Sequence, residues 1–401
     1  MIEKIVAAFL SGTGILLCTG CVGVISGQAE ILTLPVGDPV RKDQQVSVQV
    51  DEVVDTLSGD TLSPQALAQR LTDGRLILIA EQHTDLEYHR VQLRVLELLQ
   101  QTGRAMVIGL EMFEVEDQPL LDAWVAGRFT EAEFLDESDW YGNWGYHWGY
   151  YRDILLFARA HAIPLVALNA PRNAVTGMGA DDATADGEAH GAALPLKVDL
   201  SSPDHRALFR AFFDTDDPIH GGLPEDQWEA LFAAQCSMDA VMAANAALAL
   251  DSYPDTALVA LAGTGHVIYE LGIARQIKDR YAGSVTTIVP VAVADADTRV
   301  QSSIGDFVWG IPDMPAPAFP ELGALSVGVE AGLHIIHVEP DSPAEAGGLE
   351  TGDILTSFKG VTIESRPDLN RILATIQWGD EVAVTVEREE EQHDLTLRFQ
   401  R

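Results

Sequence analysis

The sequence predicts an α/β fold, a mostly parallel sheet flanked by helices, followed by a small α+β domain. Three observations carry this. Short unbroken apolar runs alternate with helical patterns between residues 51 and 308, as in sheets covered on both faces. A proline-rich stretch, "WGIPDMPAPAFPELG", interrupts the alternation at Trp309–Gly323. Beyond Leu325 the chain changes to alternating strands, short turns and one helix. At 401 residues the chain has length for two cores.

In chain order, Met1 to Lys4 carries positive charge and Ile5 to Leu17 is apolar but too short to span a bilayer comfortably. The run Leu17-Cys18-Thr19-Gly20-Cys21 resembles a bacterial lipobox, with Cys21, after Gly20, as the lipid-bearing residue and Cys18 where leucine is usual. Residues 1–21 then read as a lipoprotein signal and 22–50 as a polar tether. Val22 after Cys21 points to the outer rather than the inner membrane of a bacterial envelope. Only Cys236 remains in the mature body, which excludes a disulfide framework; within "AAQCSMDAVMAA" it reads as a small core residue. Strands are expected at 75–80, 105–111, 163–169, 257–262 and 285–293. Helices are expected at "YHRVQLRVLELLQQ" and "WGYYRDILLFARAHA", and Gly179 to Ala193, with His190, as a surface insertion. Residues 309–322 read as a linker to a second domain at 323–401.

Open α/β sheets bind ligands beyond the carboxyl ends of their strands. Those ends supply Glu81 and His83 in "LILIAEQHTDLEYH", Glu111 in "VIGLEMF", Asn169 in "LVALNAP" and His266 in "VALAGTGHVIY". Imidazoles and carboxylates suit a metal ion or acid–base work. Thr84 and Glu87 read as a capping box, and His89 as leaving the site along the helix. Gly263 and Gly265 mark close backbone approach by a ligand or a tight strand-to-helix turn. A second anomaly is "WYGNWGYHWGYY", crowded with Trp and Tyr in a chain only 7 % aromatic. Its rings, Tyr146 and Tyr150 among them, are walls for a planar ligand or a wedge packed against the sheet. His147 lies in the same run.

Together "AEQHTDLEYHRVQLRVLELL", "GLEMF", "QPLLDAWVAGRFTEAEFL", "WGYHWGYYRDILLFARAHAIPLVALNAPR", "QCSMDAVMAANAA" and "LAGTGHVIYELGIARQI" resemble the ChaN-like haem-binding lipoproteins of the Tiki and erythromycin esterase superfamily. The resemblance implies haem as cofactor and a role in iron uptake at the cell surface. The family's "G-E-x-H" maps to Ala80-Glu81-Gln82-His83, with Ala80 in place of glycine, and its "G-x-G-H-x-x-Y" to Gly263, Gly265, His266 and Tyr269. Tyr269 is the implied axial haem ligand, because a phenolate binds ferric iron well. The C-terminal part, with Ser342-Pro343-Ala344, Gly348-Leu349 and Gly352-Asp353-Ile354-Leu355, resembles a bacterial PDZ domain. That implies capture of a protein C-terminus or peptide as an added strand, near Gly323 and Leu325.

A net charge of −36 repels phosphates and excludes nucleic acid as a partner; it also fails to attract haem propionates. The leading expectation is a lipid-anchored haem-binding protein, contacting the membrane through its anchor, with a homodimer left open. The alternative is a metal-dependent hydrolase or peptidase. There His83, His266 and Glu111 hold a divalent metal ion and Glu81 activates water. A noncatalytic envelope scaffold is the third reading.

Overall fold

The computed structural model describes residues 28–170, 196–213, 223–314 and 316–401. Its strands are β1 (Gln45–Val48), β2 (Val53–Asp55), β3 (Thr61–Leu62), β4 (Leu76–Glu81), β5 (Met106–Glu114), β6 (Leu165–Asn169), β7 (Ala257–Gly263), β8 (Val285–Val293), β9 (Thr298–Gln301), β10 (Phe307–Pro312), β11 (Ala324–Val329), β12 (Gly332–Val338), β13 (Ile354–Phe358), β14 (Val361–Thr362), β15 (Glu381–Arg388) and β16 (Glu391–Arg398). The five expected apolar runs become β4 to β8, neighbours in an eight-stranded sheet ordered β3-β2-β10-β8-β4-β7-β5-β6. From β10 to β6 every pairing is parallel, and β2 runs antiparallel to both its neighbours, β10 and β3. Both faces are covered, so all six residues of β4 and all seven of β7 are buried. That is why these strands read as continuous apolar runs rather than alternating ones.

The chain divides into two compact units. The first contains this sheet and most of its helices. Helix Leu86–Gln101 buries Val91, Val95, Leu96, Leu98 and Leu99, an amphipathic stripe. Helix Glu225–Ser252 packs on β6 and β7. It is long and apolar enough to cross a membrane, yet two-thirds of its apolar window is buried in the fold, as a core helix requires.

Two expected boundaries shift. The tether was expected to reach residue 50, but the fold includes helix Gln28–Leu32 and β1, which pairs antiparallel with β9. Val36 and Val48 lie in the core. The Gly and Pro punctuation there marks turns between short packed elements. The linker expected at 309–322 begins later, because β10 extends to Pro312 alongside β8. Gly310 permits this: a Cβ on it would come within 2.0 Å of the Gln49 carbonyl oxygen. The lipobox cysteines and the insertion containing His190 lie outside the described residues.

The second unit comprises 83–86, 129–153 and 314–401. Its antiparallel sheet runs β11-β12-β13-β15-β16, with β14 paired to β13. Leu333, Ile335, Leu355, Phe358, Val384, Leu397 and Phe399 fill its core. Arg388 grips the buried Asp353 carboxylate with two bonds, of 2.7 and 2.8 Å. The aromatic run joins this unit. His147 stacks on Phe319 at 3.7 Å, and Asn370 of helix Arg366–Leu373 donates to the Tyr141 carbonyl. Arg371 of the same helix pairs with Asp139. An apolar segment this dense needs a partner surface, and within this unit it finds one on the C-terminal sequence.

Candidate functional site

In the first unit the carboxyl ends of three neighbouring strands bring Glu81, Glu111 and His266 toward one end of the sheet. Glu81 closes β4 in register with Gly263 of β7, and its carbonyl accepts from Thr264 Oγ1 at 2.9 Å. Glu111 projects from β5 and is 2 % exposed. Its Oε2 accepts the Gly263 N–H at 2.5 Å, and its Oε1 lies 3.4 Å from His266 Nε2. His266 is placed by the short helix Thr264–Val267 directly after β7.

His266 Nδ1 lies 2.6 Å from Asp239 Oδ1. A carboxylate only accepts, so Nδ1 carries the proton and Nε2 turns toward Glu111. An imidazole lone pair facing a carboxylate oxygen is repulsive unless a proton or a cation lies between them. Asp239–His266–Glu111 is thus a buried relay of the kind that orients a ligand or base. Gly272 leaves room for it: a Cβ there would meet the His266 carbonyl oxygen at 2.4 Å and Asp239 Oδ1 at 2.8 Å. Behind Asp239 lie His205, its Nε2 3.7 Å from Oδ2, and Cys236. Burial pushes His205 down to about 4, partly opposed by Asp239, and pushes the Cys236 thiol up to about 12; both are neutral.

Glu81 Oε2 accepts from Gln92 at 2.8 Å and lies 3.8 Å from His89 Nδ1, which also meets Gln92 Oε1 at 3.1 Å. His89 therefore turns inward, against expectation, and is 2 % exposed. Glu87 pairs with Arg90.

His83 belongs to the second unit. Its ring lies 4.9 Å from Trp144 and 4.8 Å from Tyr146, and its Nδ1 is 3.4 Å from the Tyr151 hydroxyl. Trp140 backs Tyr151 at 5.3 Å. Trp144, Tyr146 and His83 are partly exposed while Trp140, Trp148 and Tyr151 are buried, so a rigid aromatic floor carries an accessible rim. Burial lowers the pKa of Arg366, partly opposed by its electrostatic interaction with Tyr146.

Several expected site residues have other duties. Tyr269 is 1 % exposed, held at φ 58°, and donates its hydroxyl to the Ile31 carbonyl at 2.6 Å. Buried and engaged in this bond, the hydroxyl is not presented to a ligand in this structure. Asn169 ties backbone to backbone, donating to the Glu111 carbonyl and accepting from Ala170 N–H. Tyr150 is buried, edge-on to Phe319 at 4.9 Å, not a pocket wall. A Cβ on Gly265 would meet only ordinary contacts, the nearest at 3.6 Å, so that glycine serves the turn. Gly323, at φ 71°, gives its carbonyl to Glu339 N–H and Ser342 Oγ. Leu325 sits at a register shift on edge strand β11, opposite His337. The sequence reading missed Asp239, His205 and Gln92. An acid three residues after a cysteine, inside a helix otherwise free of charge from Ala230 to Leu250, is the signal that could have found Asp239.

Comparison with known proteins supports this architecture. Residues 67–277 match the family described as haem-binding uptake, Tiki superfamily, ChaN, and residues 320–398 match the PDZ domain. The solved structure of ChaN of Campylobacter jejuni with cofacially bound haem is similar at TM-score 0.51 and 16 % identity, covering 64 % of this chain and 95 % of that one. A probable periplasmic serine protease do/HhoA-like of Haemophilus influenzae is 34 % identical over 77 residues, 19 % of this chain and 16 % of its own. A probable periplasmic serine endoprotease DegP-like of Halomonas elongata is 31 % identical over 134 residues, 32 % of this chain and 28 % of its own. The chain thus spans less than a third of the length of these curated relatives. By the match over more than half its length, the chain belongs to the ChaN family of haem-binding uptake proteins in the Tiki superfamily, with a PDZ domain after it.

Proposed function

We propose that this is a haem-binding protein of the bacterial envelope, held to the membrane by lipid on Cys21, that serves iron uptake. The observation carrying the reading is the arrangement around His83: an imidazole within 5 Å of two partly exposed aromatic rings, over a buried aromatic floor. Those residues fit haem, which supplies an iron with axial sites for imidazole and a flat apolar macrocycle for stacking. His83 is the candidate axial ligand, with Tyr151 fixing its ring through Nδ1. Trp144 and Tyr146 supply the stacking surface. Arg366 gives the rim a desolvated cation suited to a propionate, which offsets locally the repulsion of a −36 chain. The PDZ domain would take a peptide at edge strand β11, which pairs on one side only, with β12, among the described residues. Haem titration tests the reading. The full chain should give a sharpened Soret band at a defined stoichiometry, lost in His83→Ala. A spectrum equal to free haem in the parent protein would remove the proposal.

A second reading rests on a specific observation, the buried Asp239–His266–Glu111 relay. It suits metal-assisted hydrolysis, with Glu81 as the base. Metal bound at purification, with peptide cleavage abolished by Glu81→Gln, supports it. A purified protein with no bound metal and no peptide cleavage would remove this reading.

A further inference from the structure

Deeper in the first unit, three side chains of different chemistry meet beneath the strand ends. His205 comes from helix Pro203–Ala211, while Cys236 and Asp239 stand three residues apart on one face of helix Glu225–Ser252. One ligating atom from each lies within 4.8 Å of the others. His205 is 1 % exposed, and Cys236 and Asp239 are fully buried. The Cys236 Sγ to His205 Nδ1 separation is 3.5 Å. Metal–sulfur and metal–nitrogen bonds of zinc type, meeting at a tetrahedral angle, set that edge at about 3.5 Å.

The second, independent sign is Asp239 itself. Oδ1 is spent on His266, but Oδ2 is buried and has no hydrogen-bond partner among the described residues. A sealed carboxylate oxygen without a partner is costly and calls for a positive group. We propose that His205, Cys236 and Asp239 bind a divalent transition-metal ion of the zinc class, at a site distinct from the aromatic rim. Mixed sulfur, nitrogen and oxygen donors select such an ion over calcium or magnesium.

Arg275 Nη2 now lies 3.1 Å from His205 Nδ1. The same Nη2 donates to the Asp199 carbonyl at 2.8 Å and lies 3.9 Å from Cys236 Sγ, while Nε donates to the Leu271 carbonyl and the guanidinium pairs with the Asp199 carboxylate, so Arg275 can yield both metal ligands and stay paired. On binding, the thiol S–H bond breaks, the sulfur–metal bond forms and the proton leaves to solvent. Thiolate and carboxylate together balance the dication. Because Asp239 Oδ1 orients His266, loading this site also fixes the geometry of the relay above it.

Cobalt(II) titration of the full chain, stripped of metal by chelation, tests this. A thiolate-to-cobalt charge-transfer band should grow to one equivalent, with visible bands of tetrahedral intensity. Cys236→Ser should abolish the charge-transfer band, and His205→Gln should weaken cobalt binding at least tenfold. Haem titration of Cys236→Ser should match the parent, which separates this site from the haem reading. No charge-transfer band in the parent overturns the proposal. So does a band that survives in Cys236→Ser, since it would belong to other thiols.

Discussion

In the proposed haem site His83 rather than Tyr269 meets the iron, and the surroundings of the two side chains are the reason. Tyr269 spends its hydroxyl on Ile31 in the core, whereas His83 stands at a partly exposed rim beside Trp144 and Tyr146. Tyr269→Phe should therefore leave haem affinity unchanged while lowering stability by about 1 kcal/mol, the worth of one buried hydrogen bond. Haem titration and urea unfolding of the same variant read both outcomes. Gly272 offers a second residue-scale check. Gly272→Ala drives a methyl into Asp239 and the His266 carbonyl and should cost about 2 kcal/mol in urea unfolding, the usual penalty of overpacking.

The strands that came out of the sequence as continuous apolar runs, β4 to β8, were legible because burial on both faces leaves no polar positions to blur the pattern. Elements with mixed patterns were not. Residues 28–48 look like a linker by composition, yet Arg41 fastens them to the sheet through Asp306 at 3.2 Å and Glu270 at 3.3 Å, bonds to residues over 200 positions away. Its side chain is 10 % exposed. Arg41→Ala should cost about 2 kcal/mol by urea denaturation, since it leaves partly buried carboxylates without their cation. A change within about 0.5 kcal/mol, the level of an ordinary surface substitution, would mean that the segment is not held this way. Of the site, Glu81, Glu111 and His266 could be read from strand ends. Asp239 and His205 could not, because helices from elsewhere in the chain supply them and nothing in their local spacing names a partner.

Across the whole chain, the boundary drawn by composition at 309–322 differs from the packing of the aromatic run, which lies with the C-terminal sequence. A family domain and an appended module thereby share one hydrophobic unit. Within that unit Glu321 provides a pH signature. Burial, with Glu339 adding to it, raises its carboxyl from 4.5 to about 7. A raised acid favours the folded state fully below its unfolded pKa, and that contribution is lost as pH climbs through the folded one. The melting temperature of this unit should fall between about pH 5 and about pH 8, and Glu321→Gln should remove the dependence. An unchanged slope in that variant would assign the effect to other groups.

Resonance Raman spectroscopy of the ferric haem complex tests ligation by His83, because it distinguishes an imidazole from a phenolate on iron. The full chain should show imidazole ligation, unaltered in Tyr269→Phe and abolished in His83→Ala. A phenolate signature that disappears in Tyr269→Phe, with His83→Ala indistinguishable from the parent, would contradict it.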